Sequence, residues 1–203
     1  VGTWRRYEVP YSTCYDCTVA FQNPMRALDY ANGEYRAIVN HKPGVAPSVL
    51  AGQERRAVVV MAFLKPRLAV VEQHMDVGSG AGILMREVSQ AYRCESRGCE
   101  VDQDYLAYSK AQGMYATDAL PDGTFDLVTI VHTLEHMPDP VAMLTQIHAR
   151  AAGHVYIEVP TDKYDIVHPF MFNAKSLQTA IELAGMTLQE MWMSPTKDLV
   201  AWL

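Results

Sequence analysis

From about residue 48 to its end, the chain alternates between helical apolar stripes and short continuous apolar runs. Ser48 is placed to cap a helix that carries Leu50, Ala57, Met61 and Leu64 on one stripe and stops at Pro66. The apolar run over 68–77 predicts a strand ending in glycines, and Leu84, Val88 and Ala91 mark the helix after it. A short strand should then end near Glu100, followed by a helix that Gly113 terminates. Residues 124–131 read as a buried strand through Phe125, Leu127, Val128, Ile130 and Val131. Asp139 and Pro140 supply an N-cap with proline at the first helical position, and Gly153 is placed to close that helix. Residues 155–159 form a further strand ended by Pro160. Asn173 caps a helix through Leu177, Ile181 and Ala184, with Gly185 behind it. Two last runs, 187–193 and 199–203, predict an antiparallel hairpin across a five-residue joint.

Alternating strands and helices with a terminal hairpin predict an α/β fold, a doubly wound and mostly parallel sheet. Before residue 40 the pattern gives way to aromatics, a cysteine pair and turn residues. His41, Lys42, Pro43 and Gly44 are turn chemistry and mark the expected joint. The division expected there is a knuckle-like N-terminal segment with a short helix, 1–42, and a main domain, 43–203. No repeat or low-complexity tract interrupts either part.

Composition narrows the class. At 49% hydrophobic and 20% charged, 203 residues can bury a full core, which excludes disordered and fibrous chains. No apolar run approaches a bilayer span and no basic-then-apolar leader is present, so a soluble protein without a membrane partner is expected. The net charge of −6 argues against a broad phosphate-gripping face. Four cysteines are too few for a disulfide scaffold, which fits a reducing cytoplasm.

The sharpest local signal is the stretch M-D-V-G-S-G-A-G at 75–82, which follows a strand and opens a helix. Glycines there let the chain turn tightly and let a ligand reach the main chain. Glu100, at the end of the next strand, can accept both hydroxyls of a ribose. Taken singly, the glycines are equally at home in a structural turn and Glu100 at a solvated strand end; strand, glycines, helix and acid in register favour a ligand. The G-S-G-A-G spacing departs from the dinucleotide fingerprint G-x-G-x-x-G. Asp76, two residues before the first glycine, suits a ligand with a cationic amine and would repel a pyrophosphate. The pattern points away from NAD and towards an amino-acid nucleoside.

With these residues in view, the sequence resembles the class I S-adenosylmethionine-dependent methyltransferases of small molecules. The resemblance rests on 75–82, on G-C-E-V-D at 98–102 leading to Gly113, and on F-D-L-V-T-I-V-H-T-L-E-H-M-P-D-P at 125–140. It implies a Rossmann-like sheet of seven strands whose antiparallel member comes from the C-terminal hairpin. By the same resemblance, S-adenosylmethionine is the cofactor and S-adenosylhomocysteine its product. The loop Gly78, Ser79, Gly80, Gly82 would hold the methionine part, with Asp76 behind it. Glu100 would bind ribose, Val101 would lie against adenine, Asp118 and Ala119 would border the adenine edge, and His132 would sit beside the sulfonium.

Methyl transfer from a sulfonium is an in-line displacement, so positioning dominates and a base matters only where the acceptor must lose a proton. Candidates beyond the strand ends are His132, Glu135, His136, Thr161, Asp162, Tyr164 and His168. His136 is the favoured base because imidazole titrates near neutrality. The alternative is that it only orders the loop before Asp139 caps the helix. Glu135 reads as a loop or helix-entry carboxylate, favourable near a helix N-terminus. Residues 168–172, H-P-F-M-F, read either as an apolar lid or as plain core. No Asn-Pro-Pro-aromatic segment follows the strand over 124–131, which with the acidic charge argues against a nucleic-acid substrate. A small-molecule acceptor is expected, in a monomer or homodimer.

Cys14 and Cys17 resemble the second half of a zinc ribbon found ahead of some methyltransferases. A structural zinc needs four ligands, and no first C-x-x-C stands in this chain. Either an upstream pair preceded Val1 or the knuckle has decayed to a metal-free turn; no metal is expected, and the two cysteines make at most a half-site. Cys94 lies five residues before Cys99, and Cys99 reads as a buried small hydrophobe. Two rivals stand beside a methyltransferase. One is an inactive module holding S-adenosylmethionine or S-adenosylhomocysteine; the other is an NAD-dependent oxidoreductase.

Overall fold

The computed structural model describes residues 9–26, 28–39, 44–161 and 166–203. In chain order the first elements are β1 (Tyr11–Thr13), β2 (Ala20–Gln22), α1 (Glu34–Val39), α2 (Pro47–Leu64), β3 (Gln73–Val77), α3 (Ile83–Tyr92), β4 (Glu95–Cys99) and α4 (Gln103–Ala111). There follow β5 (Tyr115–Thr117), β6 (Phe125–Val131), a 3-10 turn (Leu134–His136), α5 (Pro140–His148), β7 (Ala151–Pro160), β8 (Phe170–Met171), α6 (Ala174–Leu183), β9 (Glu190–Met193) and β10 (Asp198–Trp202). Seven strands form one sheet in the order β5-β4-β3-β6-β7-β10-β9, and β1-β2-β8 form a small second one.

β3 pairs in parallel with β4 on one side and β6 on the other, so the strand order reverses there. Ligands of doubly wound sheets bind at the carboxyl end of such a reversal, and the glycine loop leaves β3 at that end. β9 and β10 pair antiparallel, as the terminal hairpin predicts. The class is α/β, with the mostly parallel sheet and antiparallel end expected. β6 is buried through Phe125, Leu127, Val128 and Ile130, each such side chain contributing about 1.5–3 kcal/mol.

Several boundaries moved, each for a local reason. α2 starts at Pro47, after an extended Ala46, and Ser48 lies inside it. The fixed φ of proline suits the first helical position, so it sets the start without a side-chain cap. Residues 68–72 stay outside the sheet. β3 begins where the Asp126 carboxylate accepts the N–H groups of Glu72 (2.8 Å) and Gln73 (2.9 Å). Gly153 does not close α5, which ends at His148. It sits inside β7, where an added Cβ would lie 2.3 Å from the Asp126 carbonyl oxygen. It therefore serves close strand approach. β5, a three-residue edge strand that the residue pattern did not mark, supplies the seventh strand that the resemblance implies. β9 starts at Glu190 and not 187.

Asp139 caps α5 with Pro140 at the first turn, and Asn173 caps α6, both as predicted. The 41–43 part of the expected joint lies outside the described residues. Among the described residues, no helix is long and apolar enough to cross a membrane. Cα packing divides the chain into two compact units. One comprises 29–131 and 150–156 and carries the glycine loop; the other comprises 132–149, 157–203 and the described residues up to Leu28.

Candidate functional site

In the first unit, β3 delivers the chain to Gly78, Gly80 and Gly82, all with positive φ (73°, 54° and 78°). Side chains rarely adopt that backbone, which is why the loop is glycine-rich. Its N–H groups are spoken for. Gly78 and Ser79 donate to the Cys99 carbonyl (2.8 and 3.0 Å), and Gly82 donates to the Ser79 carbonyl (2.9 Å). Gly80 N–H donates to Glu100 Oε2 (2.7 Å) and Ala81 N–H to Gln53 Oε1 (3.1 Å). All five successive amides are thus used within the protein. A pyrophosphate cradle needs such groups pointing at the ligand.

Two carboxylates stand at this loop instead. Glu100 is nearly buried, and its Oε1 accepts the Asp102 N–H at 2.8 Å. The Val101 N–H also points at the carboxylate, which still has lone-pair room for a hydroxyl donor. Burial raises its pKa, opposed by the backbone N–H groups of Asp102 and Gly80. Asp102 in turn caps α4 and pairs with Arg36 at 2.5 Å.

Asp76, on β3, is buried, and burial pushes its carboxyl up to about 7 against the lowering effect of Thr129. Thr129 Oγ1 donates to Asp76 Oδ1 (2.6 Å) and lies 2.9 Å from His74 Nε2. Having given its proton to Asp76, the hydroxyl must accept from Nε2–H, so His74 Nδ1 accepts from Ser96 Oγ (2.7 Å). Burial drives His74 down to about 3, which keeps the ring neutral. Gln53, His74 and Thr129 were not singled out from the sequence. Val101 is exposed, and Asp118 and Ala119 lie exposed after β5.

In the second unit, His132 follows β6 with φ 52°. Its Nε2 lies 3.4 Å from Glu158 Oε1 and 3.3 Å from Asp198 Oδ2. Neither acid was foreseen, although a Glu in the apolar run V-Y-I-E-V-P was a readable anomaly. Glu135 and His136 stand together in the 3-10 turn and meet His168 from the chain before β8. The two imidazoles lie 4.8 Å apart at 39°. His136 Nδ1 donates to the Val167 carbonyl at 2.6 Å, and its Nε2 lies 3.7 Å from Glu135 Oε1. Glu135 is fully buried and no hydrogen bond reaches either carboxylate oxygen.

Thr161 donates to the Lys197 carbonyl at 3.3 Å, and Asp162 and Tyr164 lie outside the described residues. In the 168–172 segment, Met171 and Phe172 are buried and β8 pairs with β2. Cys14 and Cys17 flank the turn between β1 and β2. Backbone hydrogen bonds from Cys17 and Asp16 hold the Cys14 thiol below its ordinary value. Cys99 is half-buried and not fully buried as expected, and that burial pushes its thiol up to about 11. Among the described residues, neither metal-capable cluster of three contains a cysteine.

The sequence matches the family described as "Methyltransferase domain" over residues 51–193, more than half of the chain. The chain belongs to that family. It is 30% identical over 122 residues to "Probable methyltransferase ltbC" of Aspergillus luteorubrus, a match covering 50% of this chain and 43% of the relative. It is also 30% identical over 113 residues to the ubiquinone biosynthesis O-methyltransferase of Methylococcus capsulatus, covering 47% of each. This methyltransferase domain therefore matches under half the length of these curated relatives. Its fold is that of the magnesium protoporphyrin IX methyltransferase of Synechocystis, solved with bound SAM. The TM-score is 0.63 at 14% identity, over 87% of this chain and 97% of that one.

Proposed function

We propose that this chain transfers a methyl group from S-adenosylmethionine to a small-molecule acceptor. The observation that carries the reading is the glycine loop whose five amides are all satisfied internally while two buried carboxylates stand at it. Such a loop repels a pyrophosphate and welcomes a ligand rich in donors, with an ammonium for Asp76 and ribose hydroxyls for Glu100. Gly78, Ser79, Gly80 and Gly82 would contact the methionine part. Val101, Asp118 and Ala119 would meet the adenine, and His132 the region of the sulfonium. His136 offers Nε2 as the atom able to take an acceptor proton. These roles fall within 43–203. The net charge of −6 favours a small acceptor over nucleic acid.

When bound, the cofactor supplies an electrophilic methyl; the chain supplies orientation and exclusion of water. The test is a thermal-shift titration with S-adenosylmethionine, S-adenosylhomocysteine and NAD. A ligand at a hundred times its dissociation constant adds about 2.7 kcal/mol, a shift of several degrees. Stabilisation by the sulfonium pair alone is the expected result; stabilisation by NAD alone, or by none, overturns the reading.

A further inference from the structure

Glu135 poses a question that the methyl-transfer reading does not answer. A carboxylate without exposure or hydrogen bonds is expensive to bury unless a cation or a proton meets it. What surrounds it is specific: His136 Nε2 at 3.7 Å and His168, with one donor atom from each of the three within 4.8 Å of the others. The geometry points to a binding site for one divalent transition-metal ion of the zinc class, held by Glu135, His136 and His168.

The donor set fits that chemistry. Two imidazoles and one carboxylate are a common triad for borderline divalent ions, and they leave coordination positions for oxygen ligands from water or substrate. The supporting contacts fit too. A metal-binding histidine characteristically donates its other ring N–H to a carbonyl, which fixes the tautomer and the ring plane. His136 does so through Nδ1 to Val167. The third donor is held by its backbone. The His168 carbonyl accepts from Tyr11 Oη (2.6 Å) and Gln22 Nε2 (3.3 Å), and the Pro169 carbonyl accepts from Gln22 N–H (2.9 Å). β1 and β2 thereby anchor the segment that carries His168. Ligands about 2.1 Å from one ion lie about 3–3.4 Å apart, so small side-chain rotations seat the ion.

With the ion bound, His136 Nε2 is a ligand and not a proton acceptor. This revises one role in the proposed function and does not depend on the identity of the cofactor. All three donors lie in one unit of the chain, so binding is measurable without cofactor or acceptor.

The experiment uses chelator-stripped full chain, Zn2+ alone as probe in calorimetry, and Co2+ for its visible spectrum. A Cys14→Ser/Cys17→Ser background removes the thiol pair of the β1–β2 turn, and a charge-transfer band in Co2+ would betray binding at Cys94 or Cys99. One equivalent of Zn2+ is expected in that background, with a Co2+ spectrum of nitrogen and oxygen ligands. Glu135→Gln, which keeps the side-chain volume, and His168→Gln should each weaken binding at least about tenfold. Circular dichroism and thermal melts check that both variants remain folded. Absence of Zn2+ binding, or binding unchanged in Glu135→Gln, overturns the proposal and leaves a buried histidine–carboxylate cluster. Loss in Glu158→Gln but not in Glu135→Gln overturns it in favour of His132, Glu158 and Asp198.

Discussion

Glu100 and Glu135 are both buried glutamates just beyond strands of one sheet, and their surroundings differ in kind. Glu100 receives an N–H on each oxygen, from Gly80 and Asp102. Its neighbours extend the same economy through Asp76, Thr129, His74 and Ser96, each donor matched to an acceptor. Glu135 receives no hydrogen bond and faces two imidazoles. The first region is preorganised by the protein's own groups, with the Ser79 hydroxyl of the loop as its one buried side-chain polar atom left without a partner among the described residues. The second holds a polar group that the protein leaves unsatisfied, and that is where a missing partner should be sought.

Replacing the two acids in turn tests this contrast most severely. Glu100→Ala strands two buried N–H groups, so chemical denaturation should show a loss of about 2–4 kcal/mol. The same change should weaken S-adenosylmethionine binding in calorimetry by about 1–3 kcal/mol. Glu135→Met removes a buried carboxylate that has no hydrogen bond to lose, and should raise the stability of the metal-free protein by about 1 kcal/mol. Equal losses in both variants would erase the distinction between the regions.

A titration sharpens the account of the first region. Asp76 is raised from 3.8 to about 7 by burial, so between those values the native state holds a proton that the unfolded chain has lost. Its contribution is complete below pH 3.8 and disappears as pH rises through about 7. His74 is lowered from 6.5 to about 3 by burial, so its contribution is present above 6.5 and disappears as pH falls through about 3. The two slopes oppose each other between about 4 and 6.5, and wild-type stability should vary little there on their account. Asp76→Asn should uncover a steady loss on acidification; His74→Gln should uncover a loss as pH rises. Urea midpoints across that range check both, and parallel profiles for the two variants would refute the opposition. An ammonium seated at Asp76 would draw its pKa down again. Cofactor binding below pH 7 should therefore release a proton, seen as a buffer-dependent calorimetric enthalpy.

Much of the first region was legible because its signals are local. The glycines, Asp76 and Glu100 announce themselves by spacing from one strand end. Asp139, Pro140, Asn173 and Gly185 mark helix ends in the same way. What stayed hidden depends on contacts distant in the chain. Gly153 reads as a helix terminator until the Asp126 carbonyl beside it is known. Residues 68–72 are apolar enough for a strand, and only Asp126 shows where pairing starts. Thr129 and His74 look like ordinary strand residues until they are paired across β3 and β6. Glu135, His136 and His168 were each noticed singly; the fold, and not their spacing, makes them a cluster.

The smallest expected effect concerns how that cluster is held. Asn173 accepts the Ser176 N–H at 3.0 Å as the cap of α6. Its Nδ2 donates to the Thr18 carbonyl (3.0 Å) in the turn between β1 and β2, the pair that anchors the His168 segment. Asn173→Ala removes both roles and should cost about 1 kcal/mol, the usual loss of an N-cap. Asn173→Asp keeps the cap acceptor and loses only the donor, so less than half that cost is expected. Both changes loosen the strands behind His168, and both should weaken Zn2+ binding by a small factor while S-adenosylmethionine binding stays constant. The pair of affinities is the decisive readout. A parallel decline in the two would mean that the glycine loop and the histidine cluster share their support, whereas a fall in the metal affinity alone would show that each region is braced by its own part of the chain.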